Sequence, residues 1–254
     1  MEEIVPLFKS HCSLGRSILT LEKPKDEADT ETSDSVFDIV KQENLQDVFL
    51  VEDNMTGFLQ AYTNAEELGV KLVFGLRITF CPDHANKSEE GRKNSYKNII
   101  FAKNNAGYKQ LIKIYTHASQ DGFYYEPRTD NAKFKEFYTD DLMLATPFYD
   151  SFLYVNKYTD SSCVPDFSFC DPIFFVEDND VLVDQDLEAS VRKFCDGKYD
   201  VIKTKSIFYK NKTDFGAYLT HRCISKRTSL EKPNFDGMCS NEFCFESYKE
   251  VVNG

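Results

Sequence analysis

The chain has 254 residues, and its 42 acidic and 30 basic side chains give a formal net charge of −12 at pH 7. Hydrophobic residues make up 41% of the chain, which is typical of a globular protein. Free-standing nucleic-acid binders have a basic face or a basic overall balance, so the charge restricts any DNA contact to a local or indirect one.

The cysteines and the N-terminal residues indicate a compartment. Eight cysteines occur without a C-x-x-C pair and without a cluster of zinc-finger spacing, which favours reduced thiols over a disulfide framework. The acidic start, MEEIVPLF, lacks the basic and apolar regions of a signal peptide, and no apolar stretch approaches the roughly 20 residues of a transmembrane helix. These features predict a cytoplasmic protein that does not contact a membrane.

The first half of the chain alternates apolar segments of strand length with amphipathic helical segments. Ser33 or Ser35 can cap a helix that follows the acidic loop 22–35. Gly69 stands where a helix C-cap favours glycine. The predicted strands are 4–8, 48–51, 70–74, 76–80 and 98–102, and Gly75 separates the third from the fourth. The predicted helices include 57–68 and 107–117.

The second half continues the alternation. Strands are predicted at 142–145, 173–176 and 201–202, and a helix at 185–194. Strands and helices that alternate over about 230 residues favour a parallel α/β fold, either a barrel or a doubly wound sheet. No Gly/Ser/Pro-rich linker divides the chain, so one domain is expected at 1–232, and 233–254 is interpreted as a connection to another part of a protein.

The common catalytic signatures are absent. The chain has no phosphate-binding G-x-x-x-x-G-K-[ST], no G-x-G-x-x-G and no G-x-S-x-G. No two histidines share a spacing that would place both on one metal ion, so each is predicted to be a surface or capping residue. The four are His11, His84, His117 and His221.

Two carboxylate pairs stand at the ends of predicted elements. Glu52 and Asp53 directly follow the strand 48–51, and sites of parallel α/β folds lie at such ends, so a functional role and a helix cap are equally open. Asp184 and Asp186 begin an amphipathic helix and are interpreted as a cap and a partner of the helix dipole.

Four lysines with two aromatic residues among them form a basic-aromatic stretch in the second half of the chain. This pattern fits either a contact to a nucleic-acid backbone with a ring stacked on a base, or a solvated loop, which is the favoured interpretation. The residues are Lys203, Lys205, Phe208, Tyr209, Lys210 and Lys212.

Several segments, in order along the chain, resemble the PHP family. VFLVEDNMTGFLQAYTNAEELGVKLVFGLRITF (48–80) is similar to the family's run of a strand, T-D-H-G-N-M, a helix and a strand with G-x-E-x-Y. NIIFAKNNAGYKQLIKIYTHAS (98–119) is similar to the A-K-N-x-x-G-Y-x-N-L unit, and DGFYYEPRTD (121–130) to E-G-F-Y-Y-K-P-R. Residues 203–230 and 243–251 resemble the family's T-N-D-V-H-Y-L and F-Y-F-K-S-P-E-E-M regions.

The resemblance implies a fold and a site. The fold is a distorted seven-stranded (β/α)7 TIM-like barrel, which normally holds two or three metal ions at the C-terminal strand ends for phosphoesterase or exonuclease chemistry. Such ions need ligands that offer a lone pair, in particular neutral imidazoles and carboxylates. At the corresponding positions this chain has mostly other residue types: Leu7, Lys9, Arg16, Glu52, Asp53, Arg77, Lys97, Phe148, Ser206 and Phe208.

The resemblance therefore implies a degenerate metal site without metal, cofactor or catalytic residues. Four of the replacements are lysine or arginine. The hypothesis is that Arg77 and Lys97 form ion pairs with Glu52 and Asp53 that hold the pocket closed. The alternative is a cationic pocket for a phosphate or a nucleic-acid end.

The resemblance also points to the alpha subunit of a bacterial or phage DNA polymerase III. The expected function is a metal-free, catalytically silent domain that supports the polymerase body and docks replisome subunits, among them a proofreading exonuclease. One alternative is a divergent metal-dependent phosphoesterase or 3'-5' exonuclease that uses Glu52, Asp53, Asp184 and Asp186. Another is a stand-alone protein of viral origin that binds the replisome.

Overall fold

A computed structural model of the chain describes residues 4–25, 33–230 and 240–253. The strands in these ranges are β1 (Val5–Phe8), β2 (Asp47–Glu52), β3 (Lys71–Phe80), β4 (Tyr96–Ala102), β5 (Arg128–Thr129), β6 (Leu142–Thr146), β7 (Ile173–Val176) and β8 (Val201–Ile207). The helices are α1 (Val36–Gln42), α2 (Phe58–Leu68), α3 (Glu89–Lys93), α4 (Asn105–Gln120), α5 (Asn131–Phe137), α6 (Phe152–Tyr158), α7 (Asp184–Cys195), α8 (Phe215–Lys226) and α9 (Phe245–Asn253).

Seven of the strands close into a barrel. The ring runs β1, β2, β3, β4, β6, β7 and β8, and β8 pairs again with β1. All neighbours in the ring are parallel except at β4, which is antiparallel to both β3 and β6. The two-residue strand β5 only extends the end of β3. The closure confirms the distorted seven-stranded TIM-like barrel and rules out the doubly wound sheet.

The predicted interruption at Gly75 is wrong, because β3 is continuous from Lys71 to Phe80. A Cβ atom at Gly75 would lie 2.6 Å from Cε1 of Phe101 and 2.9 Å from Cγ2 of Ile99, both on the neighbouring strand β4. The glycine therefore makes room for a ring inside the barrel, which is a common reason for glycine within a strand.

Two predicted helix caps are confirmed. The Ser35 hydroxyl accepts a hydrogen bond from the Asp38 backbone N–H at 3.0 Å at the start of α1. Gly69 ends α2 in the left-handed conformation, with φ +68°. The predicted acidic loop lies partly outside the described residues, which omit 26–32.

The basic-aromatic stretch is neither a solvated loop nor a stacking surface. Its first part belongs to β8, and Lys205 is buried and donates to the Asp178 carbonyl at 2.8 Å. Phe208 and Tyr209 are also buried, so their rings cannot stack on a base. Phe208 and Tyr209 are covered by the apolar side chains of Tyr218 and Phe243, which the local sequence pattern does not reveal.

Alternation along the strands separates the barrel interior from the face that packs on the helices. The interior contains an apolar layer made by Leu7, Val51, Ile99, Phe101, Ala145 and Phe175. Two residues beyond Leu7 and Val51, the same face carries Lys9 and Asp53. A charged layer therefore lies directly above the apolar layer, at the end of the barrel where the parallel strands terminate.

The C-terminal segment 240–253 packs on the barrel. Phe245 is buried and stacks on Phe8 of β1 with ring centroids 6.0 Å apart, and Cys244 forms an isolated bridge with Tyr209. The proposed boundary between residues 232 and 233 stays a prediction. The seven cysteines within the described ranges form no disulfide. No helix in those ranges has both the length and the apolarity needed to span a membrane.

Candidate functional site at the barrel mouth

The charged layer surrounds a small cavity, here called the barrel mouth. Its volume is about 60 Å³, which is space for a few water molecules and far below the roughly 300–1,000 Å³ of small-molecule pockets. Six of the sequence-predicted residues line it: Leu7, Lys9, Arg16, Arg77, Ser206 and Phe208.

Asp53 is the centre of the ion pairs in the barrel mouth. Its carboxylate lies 2.9 Å from Nζ of Lys9, 3.1 Å from Nη1 of Arg77 and 3.6 Å from Nε of Arg16. Burial by itself raises the pKa of Asp53, but the three cations outweigh burial and hold this pKa well below its usual range. The predicted pair of Arg77 and Asp53 is confirmed.

Arg77 also binds a carboxylate that the sequence analysis missed. Its Nη2 donates to Asp150, which follows β6 in the left-handed conformation with φ +61°. Burial raises the pKa of Asp150, and the neighbouring cations, Arg77 foremost, bring it below its ordinary value. The feature of the sequence that could have identified Asp150 is its position just after a predicted strand.

Lys97 has a different partner from the one predicted. Its ammonium group lies 2.6 Å from Glu126 and donates to the Thr79 hydroxyl, and no pair with Glu52 or Asp53 is found among the described residues. Burial, followed by repulsion from Arg77, lowers the pKa of Lys97. Glu126 stands where the quoted family motif has lysine, so both members of this pair depart from the family pattern.

Glu52 forms no ion pair within the described residues. It accepts hydrogen bonds from the Ser10 backbone N–H at 2.8 Å and from the Ser13 hydroxyl, which in turn accepts from the Asp53 N–H at 2.8 Å. Burial raises the pKa of Glu52. The predicted ion pair is wrong because consecutive residues at a strand end face opposite sides. Glu52 instead fixes the loop that follows β1.

On the opposite side of the mouth, Glu177 after β7 accepts hydrogen bonds from the N–H and the hydroxyl of Ser206, at 3.0 and 2.8 Å. The side-chain amide of Asn179 donates to it at 2.8 Å. Burial raises the pKa of Glu177. Sequence reasoning missed Glu177, although it lies two residues beyond the interior Phe175 and the strand alternation could have identified it.

The mouth does not fit the metal ions that the resemblance implies. Arg16 and Arg77 present guanidinium groups, which have no lone pair for a cation, and Nζ of Lys9 already contacts Asp53 at 2.9 Å. Phe148 and Phe208 are buried in apolar surroundings and offer no ligand atom. The carboxylates that remain already accept hydrogen bonds from cations, amides or hydroxyls.

Asp184 and Asp186, the second predicted carboxylate pair, do not share a site with Glu52 and Asp53. Asp184 accepts from the Asn179 N–H and from the Tyr149 hydroxyl, each at 2.8 Å, whereas Asp186 lies 2.7 Å from Lys157. Both lie in the first turn of α7, where a negative charge interacts favourably with the helix dipole. Neither is the N-cap of the helix, which is Val183 and makes no side-chain hydrogen bond. The four acidic residues of the alternative phosphoesterase therefore form no common site.

The histidine prediction is wrong for His117, which is only 8% exposed. Its ring packs edge-on against His84, with ring centroids 4.8 Å apart. Nδ1 of His84 lies 2.5 Å from Asp130, and Asp83 is nearby, so these three side chains form the one group of potential metal ligands identified in the described part of the chain. The group is not part of the barrel-mouth lining.

Comparisons with known proteins agree with this architecture. The chain is 32% identical over 93 residues to a DNA polymerase III subunit alpha of Borreliella burgdorferi, which is 35% of this chain and 8% of that protein. It is 32% identical over 98 residues to the same subunit of Helicobacter pylori, covering 38% and 8%, and 32% identical over 84 residues to that of Aquifex aeolicus, covering 30% and 7%. The chain thus matches less than a tenth of the length of these relatives.

A family model described as PHP domain matches residues 30–158. That segment comprises 129 residues (158 − 30 + 1), which is just over half of the 254 in the chain. The closed seven-stranded barrel is the fold that this match implies. The chain belongs to the PHP domain family.

Proposed function

We propose that this chain serves as the PHP domain of a replicative DNA polymerase alpha subunit, and that its barrel mouth is a structural element without catalytic activity. The observation that carries the proposal is the ion-pair network around Asp53, in which lysine and arginine stand where the family's metal ligands are expected. The set of ten positions named in the sequence analysis is accordingly proposed to be a degenerate metal site.

The network supports a structural role because each charge in it has a partner. Arg77 joins Asp53 after β2 to Asp150 after β6, and Lys97 joins β4 to Glu126. A buried ion pair adds little net stability over a well-packed apolar contact, but loss of one partner leaves an uncompensated charge. Such a network fixes the strand ends relative to one another.

The proposed partners follow from the curated relatives, which are named as alpha subunits of DNA polymerase III. The domain would support the polymerase body and bind other replisome subunits, of which a proofreading exonuclease is one. The net charge of −12 favours local or indirect contact with DNA. Because the curated relatives are subunits of a DNA polymerase, we also propose that the domain acts in the cytoplasm.

A cationic pocket for a phosphate group receives less support. Lys9 and Arg77 already contact carboxylates at 2.9 and 3.1 Å, and the cavity has space for only a few water molecules. A stand-alone protein of viral origin is the other alternative, and sequencing the locus beyond the codon for Gly254 separates it from a polymerase domain.

The catalytic part of the proposal is tested by hydrolysis assays. The chain and its Asp53→Asn variant would be incubated with Mn²⁺ and either bis(p-nitrophenyl) phosphate or 3'-labelled single-stranded DNA. We expect neither protein to exceed the buffer rate. Mn²⁺-dependent hydrolysis by the unmodified chain that disappears in Asp53→Asn would overturn the proposal.

The docking part is tested with the polymerase body encoded in the same genome. Sedimentation of the two purified components together is expected to give a stoichiometric complex. Separate sedimentation at micromolar concentrations of both would show that the chain does not act as a domain of that polymerase.

A further inference from the structure

A second cluster of chemically reactive side chains lies outside the barrel mouth, on the loop that follows β3 and at the start of α5. From its composition and geometry we propose that the chain binds one divalent transition-metal ion, with Zn²⁺ as the best match, through Asp83, His84 and Asp130. One ligand atom from each of these residues lies within 4.8 Å of the others.

The geometry requires only side-chain rotations to form a metal site. Nδ1 of His84 and Oδ2 of Asp130 are 2.5 Å apart. Small side-chain rotations that separate these two atoms would let both contact one cation, with each ligand atom about 2.0–2.2 Å from the ion. Asp83 is exposed, and within the described ranges its carboxylate accepts one hydrogen bond, from the Ala85 backbone N–H at 2.8 Å, so it can rotate toward the ion.

The backbone around the cluster is already fixed. The fully buried Arg128 donates through Nη2 to the carbonyls of His84 and Asn86, both at 3.3 Å. Asp130 accepts from the backbone N–H groups of His84, at 3.0 Å, and Lys133, at 2.8 Å. The loop therefore does not have to be ordered when an ion binds, which removes one of the main costs of binding.

A separate observation on His117 also indicates a ligand at this place. His117 packs edge-on against His84, and its Nδ1 lies 3.2 Å from Asp121. Its other ring nitrogen, Nε2, is buried and has no hydrogen-bond partner among the described residues. Buried polar atoms are nearly always hydrogen-bonded, so a metal-bound water beside His84 would satisfy an atom that otherwise lacks a partner.

The ligand set selects the class of ion. One imidazole and two carboxylates suit Zn²⁺, whereas Mg²⁺ and Ca²⁺ prefer oxygen ligands alone. Three protein ligands leave one tetrahedral position for water. The site would join the β3–α3 loop to the N-terminus of α5, and it is independent of the barrel-mouth residues and of the function proposed for them.

The proposal is tested by equilibrium dialysis of the metal-stripped chain against Zn²⁺ at pH 7.5. We expect one Zn²⁺ per chain at micromolar concentrations, with affinity reduced at least about tenfold in Asp83→Asn and in His84→Ala. The matched controls are Asp160→Asn and His11→Ala, which remove an exposed carboxylate and an exposed histidine elsewhere. Both controls are expected to bind as the unmodified chain does.

Asp83→Asn keeps the proposal falsifiable even if His84→Ala does not fold, because Asp83 is exposed. Absence of Zn²⁺ binding, or equal binding by Asp83→Asn and the unmodified chain, overturns the proposal. Zinc that is lost in Asp53→Asn but retained in Asp83→Asn would overturn both this inference and the proposed function. Loss in Asp83→Asn with retention in Asp53→Asn supports the inference and leaves the proposed function intact.

Discussion

The two interior layers of the barrel are built by the same strands but stabilised by different physics. In the lower layer, Leu7, Val51 and Phe175 meet in an apolar contact. Two residues further along the same strands, Lys9, Asp53 and Glu177 face the mouth. The first layer tolerates apolar substitutions that conserve volume, whereas in the second layer each charge depends on a specific partner.

A barrel of this kind can therefore change its upper layer without losing its fold. The lower layer and the surrounding helical core provide the hydrophobic stabilisation. In the upper layer each polar or charged side chain needs a hydrogen-bond or ion-pair partner, and oppositely charged side chains can provide these partners without metal ions. The following predictions test this division between the layers.

The largest effect is expected for Arg77→Met, because Asp53 and Asp150 both lose a partner. Breaking a fully buried pair costs about 3–5 kcal/mol, and we expect about 3 kcal/mol of the free energy of unfolding here, because the Asp53 and Asp150 side chains are 28% and 41% exposed and Asp53 keeps Lys9 as a partner. Urea denaturation followed by circular dichroism measures the change. A loss below about 1 kcal/mol, the range of exposed pairs, would show that the upper layer does not depend on its ion pairs.

A smaller effect is expected in the lower layer for Gly75→Ala. The added Cβ would collide with Phe101, and overpacking of this kind costs about 1–3 kcal/mol. Phe101→Leu should relieve part of the collision, so the double variant should be more stable than the sum of the two single changes predicts. Additive free energies in urea denaturation would show that the ring and the glycine are not coupled.

The pH dependence distinguishes the two neighbouring carboxylates. The pKa of Asp53 is lowered in the folded protein, so its contribution to stability is present above its unfolded pKa of about 4 and is lost as the pH falls further. The pKa of Glu52 is raised, so its contribution is present below its unfolded value and decreases as the pH rises through the folded pKa.

Urea denaturation between pH 3 and 8 should therefore give opposite trends. The stability advantage of the unmodified chain over Asp53→Asn should shrink as the pH falls below about 4. The advantage over Glu52→Gln should grow as the pH falls toward about 4. Parallel trends for the two variants would contradict the assignment of Asp53 to the cations and Glu52 to the serines.

The smallest effect is expected for Lys93→Met. Lys93 pairs with Asp160, whose side chain is 96% exposed. Exposed pairs contribute about 0–1 kcal/mol, so the free energy of unfolding in urea should change little. A loss comparable to that of Arg77→Met would remove the distinction between buried and surface pairs.

Most strands and several helices could be predicted from the sequence, since apolar periodicity and caps such as Ser35 and Gly69 are local signals. Gly75 misled the prediction because its role is set by Phe101 on another strand. The length of β8 was underestimated because lysines at 203 and 205 interrupt the apolar pattern, although they lie within the strand.

The candidate site was only partly predictable. The resemblance located Arg77 and Asp53, and the strand ends brought them together. Asp150 and Glu177 belong to no motif, and their role depends on which strands become neighbours in the ring. Alternation alone would have separated Glu52 from Asp53, because Val51 and Asp53 share one face.

The pairing of β1 with β8 has a consequence for synthesis. Val5 pairs with Thr204, so the ring cannot close until almost the whole domain has been translated. At about 5–20 residues per second, β1 would wait roughly 10–40 s for this neighbour. During that time the edge of β1 that will pair with β8 has no strand partner, and the high contact order predicts slow closure of the ring.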